Sequence, residues 1–133
     1  MNETLKSKAI AVMNHSYSPY SKKQVGSAIL LTNGKIYAGC NVENSSFGAT
    51  VCAERVATWK AVSEEGPGIQ IQEVVVATDA SPPWSPCGLC RQVINEFATQ
   101  DCKIHLVNKS GEVESYTHQE LLPHGFDRSA LDA

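Results

Sequence analysis

The chain has 133 residues, enough for one compact domain, and with 42% hydrophobic and 19% charged residues it describes a protein with a core rather than a disordered segment. Its net charge of -3 and its lack of any basic patch argue against nucleic acid as a partner. The opening stretch MNETLKSKAIAVMNHSY carries charges throughout and has no long apolar run. Neither a signal peptide nor a membrane span is read there, and a cytoplasmic location is the expectation.

In chain order, residues 3–15 place Leu5, Ile10, Ala11 and Val12 among polar residues, which predicts an amphipathic helix closed by SPYS. QVGSAILLT, residues 24–32, is an apolar run of strand length. Asn33-Gly34 follows, a strong hairpin signal, and KIYAGCNVE returns as its partner. After the small residues NSSFGAT, CAERVATWKAVSEE has helical spacing through Ala53, Val56, Ala57, Ala61 and Val62, until Gly66-Pro67-Gly68 stops it. IQEVVVATD, residues 71–79, reads as a β-branched strand, and SPPWSP as an irregular turn. GLCRQVINEFAT predicts a second crossover helix with Leu89, Val93, Ile94 and Phe97 as its buried stripe. CKIHLVN and VESYT are strands, HQELLP is a helical turn, and the tail is irregular. Strands alternating with helices predict an α/β fold: a three-layer α/β/α sandwich around one mixed five-stranded sheet, formed as a single domain over residues 1–133.

Five cysteines are present: Cys40, Cys52, Cys87, Cys90 and Cys102. In a reducing compartment they read as thiols or metal ligands rather than disulfides. Cys40 and Cys102 fall inside predicted strands and read as small buried residues. Cys87-Gly-Leu-Cys90, taken alone, fits a redox pair, half of a structural zinc site, or part of a catalytic centre. Its context narrows the choice. Cys52 opens the first crossover helix and Cys87 with Cys90 opens the next. Both helices follow strands of one sheet, so both starts can meet at one sheet end. Helix N-termini favour thiolates, and thiolates bind zinc. Three protein ligands without an obvious fourth describe a catalytic zinc, whose open position takes water. Glu54, two residues after Cys52, stands beside such a metal and can accept and pass on a proton. Three thiolates overbalance one Zn2+ by a single negative charge. The Arg55 guanidinium and the helix dipoles would offset that excess, with Gln92 holding the edge of the cluster. The four histidines, His15, His105, His118 and His124, lack ligand spacing and read as surface or core groups.

The pattern Cys52-Ala53-Glu54 … Pro86-Cys87-Gly88-Leu89-Cys90 resembles the cytidine deaminase family of zinc deaminases. SPYSKKQVGSAI, NGKIYAGCNVEN, CAERVA, SPCGLCRQVI and ELLPHGF are similar to successive family segments, in order, over nearly the whole chain. The three-cysteine form resembles the small homotetrameric members. The resemblance implies one Zn2+ per subunit held by Cys52, Cys87 and Cys90, and Glu54 carrying the proton to the pyrimidine N3 and then to the leaving amine. It implies that Asn41 and Glu43 bind ribose, and that the Ala53 backbone and the Ser85 carbonyl contact the base. Phe126 would reach a neighbouring subunit's site and stack on the base. The implied reaction is hydrolytic deamination of cytidine and deoxycytidine, a step of pyrimidine salvage, with a cytosine nucleoside as partner and neither nucleic acid nor a membrane.

Two positions depart from the family pattern. Lys23 stands where an aromatic is usual, and Phe47 where a tyrosine able to meet the 5′-hydroxyl is usual. Both are specificity candidates, and they motivate a relaxed pocket that accepts modified cytidines. The rival enzyme reading is a deaminase of a blasticidin S-type nucleoside antibiotic, which is similar around CAE and PCxxC; NVEN and Arg55 favour the ribose-binding, three-thiolate site. The rival outside enzymes is a non-catalytic zinc-binding module, which would have no use for Glu54.

Overall fold

A computed structural model of the chain describes residues 1–132; Ala133, the last residue of the expected domain, lies outside the described residues. Helix α1 spans Glu3–Met13 and is capped by Asn2, whose side chain accepts the Leu5 N–H at 2.9 Å. Strands β1 (Val25–Leu31) and β2 (Ile36–Cys40) form the expected hairpin, turning through Gly34 at φ 87°, a conformation open to glycine. Helix α2 (Ala53–Glu65) leads to β3 (Ile71–Thr78), and α3 (Gly88–Phe97) leads to β4 (Ala98–Asn108). Strand β5 (Val113–Thr117) and the short α4 (His118–Leu121) follow, with α5 (Ser129–Asp132) in the tail.

The sheet has the order β2-β1-β3-β4-β5. Only β3 and β4 pair in parallel, and α3 supplies the crossover between them. The other neighbours are antiparallel, so the sheet is mixed, as expected. Alternation along the strands divides the core in two. Ile29, Leu31, Val74, Val76, Ile104 and Leu106 face Ala57 and Ala61 of α2 and Ile94 of α3. Ala28, Val75, Ala77 and Val107 face Leu5, Ala9 and Met13 of α1. One sheet between two helical layers is the α/β/α sandwich read from the sequence.

Two glycines set how closely the layers approach. A Cβ on Gly26 would lie 2.1 Å from the Ala9 carbonyl of α1, and one on Gly39 would lie 2.6 Å from the Ala57 nitrogen of α2. Both helices therefore rest on sheet backbone.

Several local expectations are corrected. The buried face of α1 is Leu5, Ala9 and Met13, one side of the helix at i, i+4 and i+8, rather than the Ile10–Val12 run. Leu89 is 65% exposed, and α3 buries Cys90 and Ile94 instead. Strand β4 starts at Ala98, directly after α3, because Ala98 turns extended and pairs with Ile71. Strand β2 stops at Cys40; beyond it Val42 makes isolated bridges to Tyr17 and Val51.

Candidate metal centre and substrate cavity

Cys52 is the N-cap of α2 and Cys87 the N-cap of α3, both extended and neither using its sulfur as a cap. Cys90 is the third residue of α3. The N-cap and third positions of a helix lie on the same side of its first turn, the geometry of a capping box, so a C-x-x-C spacing there turns both sulfurs the same way. Because α2 and α3 begin at one end of the sheet, the three Sγ atoms lie within 4.8 Å of one another.

The donor set fits zinc. Three thiols converge, with Cys52 and Cys87 sulfurs 3.7 Å apart. Zn–S bonds of ~2.3 Å in a tetrahedron require sulfurs about 3.8 Å apart. That separation is far beyond a disulfide bond of about 2.05 Å. Arg55 Nη2 donates to Cys52 Sγ at 3.4 Å, and its guanidinium lies 5.9 Å from the Trp59 ring centre. A hydrogen bond from Cys90 and then the Arg55 contact hold the Cys52 thiol well below its ordinary value, while that same bond and burial push Cys90 up. Cys52 also sits at the positive end of α2, which favours a thiolate.

Glu54, in the first turn of α2, is 4% exposed. Burial, with the neighbouring Cys52 charge added, pushes its carboxyl up to about 7. A carboxyl of that kind holds or releases a proton near neutrality.

A cavity of about 300 Å³ opens in front of these groups. It lies at the lower end of the usual ligand range of roughly 300–1,000 Å³. Cys52, Cys87, Ala53, Glu54 and Ser85 line one side, and Lys23, Asn41 and Glu43 another. Cys90 sits behind, fully buried. Asn41 and Glu43 are themselves largely buried and shape the turn that carries Lys23. Asn41 Oδ1 accepts from Val25 N at 2.9 Å and from Ser16 Oγ at 2.5 Å, and its Nδ2 donates to the Lys23 carbonyl at 2.9 Å. Both acceptor positions are filled, leaving one N–H. Glu43 Oε1 accepts the N–H groups of Tyr20 and Ser21, each at 3.0 Å, and Oε2 accepts the Ser21 hydroxyl. One acceptor position remains on that carboxylate. The pair therefore offers the cavity one donor from Asn41 and one acceptor from Glu43.

Four sequence candidates lie away from this cavity. Arg55 is reached only through Cys52. Gln92, expected at the edge of the cluster, turns its Nε2 to the Phe126 carbonyl at 2.8 Å, and the buried Arg55 Nε has no partner among the described residues. Phe126 is 58% exposed and outside the cavity. Phe47 is 77% exposed, with its ring edge against Tyr20, 6.0 Å between centres. Gly88 is not a steric necessity in the metal loop, since a Cβ there meets nothing within 4 Å. Ser21, Thr78 and Arg91 were not singled out from the sequence. Ser21 and Thr78 line the cavity; the N–H of Trp84, which also lines it, donates to Thr78 Oγ1 at 3.3 Å. Arg91 supports the loop behind Ser85, and its signal was its place directly after Cys90. Of the histidines, His105 is a core group between Glu73 and Ser115.

A five-stranded mixed sheet whose two crossover helices bring three cysteines and one buried glutamate to a single cavity defines a zinc deaminase. Residues 1–106 match the family model for the cytidine and deoxycytidylate deaminase zinc-binding region, and the chain belongs to that family. A curated cytidine deaminase of Sporosarcina psychrophila is 45% identical over 87% of this chain and 84% of its own length. One from Halalkalibacterium halodurans is 42% identical over 89% of this chain and 88% of its own. The crystal structure of cytidine deaminase from Burkholderia pseudomallei superposes with a TM-score of 0.87 at 37% identity, covering 95% of this chain and 99% of that one.

Proposed function

We propose that this chain is a zinc-dependent cytidine deaminase that converts cytidine and deoxycytidine, with water, to uridine and deoxyuridine and ammonia. The observation that carries the reading is the meeting, in one cavity, of three sulfurs and Glu54 with the Asn41–Glu43 pair. Cys52, Cys87 and Cys90 would hold the metal, which when bound supplies Lewis acidity toward water. Glu54 takes a proton from the attacking water, delivers it to the pyrimidine N3, and passes a second to the departing 4-amino group. The Ala53 backbone and the Ser85 carbonyl orient the base, while Asn41 donates to and Glu43 accepts from the sugar hydroxyls. Arg55 balances the thiolate charge. Curated relatives named cytidine deaminase, matched over most of the chain, support the substrate.

The assembly is proposed as a homotetramer in which Phe126 enters a neighbour's site; its exposure and its absence from the chain's own cavity support this. A cytoplasmic location belongs to the same reading, since three unoxidised thiols need a reducing compartment. Among the described residues no helix is long and apolar enough to cross a membrane.

Lys23 lines the cavity where an aromatic is usual, which supports tolerance of modified cytidines. The test is an absorbance assay on a panel: cytidine, deoxycytidine, N4- and 5′-modified cytidines, and blasticidin S. Cytidine and deoxycytidine turnover is expected, with modified cytidines retained better than by a relative carrying Phe and Tyr at the two positions. A large preference for blasticidin S would move the assignment to the antibiotic deaminases, and equal or worse relative turnover of modified cytidines would remove the relaxed pocket.

A further inference from the structure

One charged side chain beside the metal centre is left without a role by the reaction. Arg91 follows Cys90 in α3. Its Nε donates to the Pro86 carbonyl at 2.7 Å, its Nη1 to the Leu121 carbonyl at 2.9 Å, and its Nη2 to the Ser85 hydroxyl. Ser85 and Pro86 lead directly into Cys87 at the cavity rim. Leu121 ends α4, where a helix leaves its last carbonyls without internal partners. The same helix grips the chain further on. Gln92 Nε2 and Asn95 Nδ2 both donate to the Phe126 carbonyl, at 2.8 and 3.1 Å. Three polar side chains of α3 thus fasten the C-terminal segment by its backbone, and of these Arg91 also grips the loop ahead of Cys87.

We propose that Arg91 is a positioning residue that locks the Ser85–Pro86 rim to the C-terminal segment and thereby aims the Ser85 carbonyl at the base. A guanidinium presents its donors in a rigid planar fork, which matches three acceptors held in fixed directions. An ammonium on a flexible stem has no such fork. Without the fork, two consecutive residues of the rim lose their anchors, while the three sulfurs remain seated on the starts of α2 and α3. The loss therefore falls on binding of the base more than on the metal or the proton transfers. This inference rests on the deaminase reading and on the role given there to Ser85.

The test uses zinc-loaded wild type, Arg91→Ala, Arg91→Lys, Ser85→Ala and the Arg91→Ala/Ser85→Ala double variant. Zinc content, kcat and KM for cytidine, and competitive inhibition by uridine are measured for each. Arg91→Ala is expected to keep one zinc per chain and a kcat within about threefold, while KM and the uridine inhibition constant both rise about tenfold, the worth of one contact to the base. Arg91→Lys should not restore them. Ser85→Ala should show a smaller rise, and the double variant should be no worse than Arg91→Ala, because the two changes remove a shared interaction. Unchanged KM in zinc-loaded Arg91→Ala, restoration by lysine, or zinc lost in step with activity would overturn the proposal. If Arg91→Ala does not fold, Ser85→Ala decides: an unchanged KM and inhibition constant there contradict it. A wild type inert toward cytidine defeats the deaminase reading itself, whereas an active wild type with an indifferent Arg91 defeats only this one.

Discussion

At the residue scale, the site depends on what each group can still donate or accept. Glu54 is buried beside the sulfurs without ligating geometry of its own, so its removal should separate metal binding from chemistry. Glu54→Ala is expected to retain one zinc per chain and to lose deamination by at least about a thousandfold, within the range of general acid–base loss combined with mispositioned water; metal analysis and the absorbance assay read both. Retained activity would refute Glu54 as the proton carrier, whereas a zinc-loaded wild type without activity would return the chain to the non-catalytic zinc modules. Glu43 folds the Ser21–Lys23 turn and keeps one acceptor position free, the one proposed to meet the sugar. The Ser21 hydroxyl and N–H hold its carboxyl below the ordinary 4.5. A depressed folded value means the unfolded chain binds the proton more readily, so this contribution is present above about 4.5 and is lost as pH falls through the folded value. Glu43→Gln is accordingly expected to raise KM about tenfold at neutral pH and to flatten the fall in thermal midpoint below about pH 4.5. The meeting of three cysteines and Glu54 was legible because a zinc site demands those residue types at those spacings. The sequence did not show Arg91 or Gln92 correctly, because all but one of the acceptors they meet are backbone carbonyls, up to 34 residues away, and a carbonyl leaves no mark on sequence.

At the element scale, the site exists because two helices start at the same sheet end. Strands were legible from β-branched runs and from Asn33-Gly34, which carries its own turn chemistry. Helix faces were less so. In α1, alanine and valine occur on several sides, and the true face became clear only against Ala28 and Val75. In α3, the first turn faces the cysteine cluster rather than the core, so Leu89 is exposed and Cys90 buried. The seating of α2 on β2 is a sharp constraint. With a Cβ 2.6 Å from the Ala57 nitrogen, Gly39→Ala must push the helix outward. It should destabilise the chain by about 1–3 kcal/mol, typical of overpacking. It should also raise KM, because the start of α2 carries Cys52 and Glu54; thermal unfolding and steady-state kinetics check both.

At the scale of the whole molecule, the C-terminal segment is anchored by α3 yet sends Phe126 outward. If Phe126 completes a neighbour's cavity, then Phe126→Ala should leave the mass in solution at that of a tetramer and raise KM for cytidine at least about fivefold, an aromatic contact's worth of binding. A monomer in solution with full activity would remove the shared site. The central claim remains that this cavity deaminates cytidine through a metal held by Cys52, Cys87 and Cys90. The most direct measurement follows cytidine conversion to uridine by the purified chain while zinc is stripped with a chelator and then restored. Activity is predicted to fall and recover in proportion to zinc per chain, to a maximum at one. A chain holding one zinc that releases no ammonia from cytidine, or one whose activity survives removal of the metal, would contradict the account.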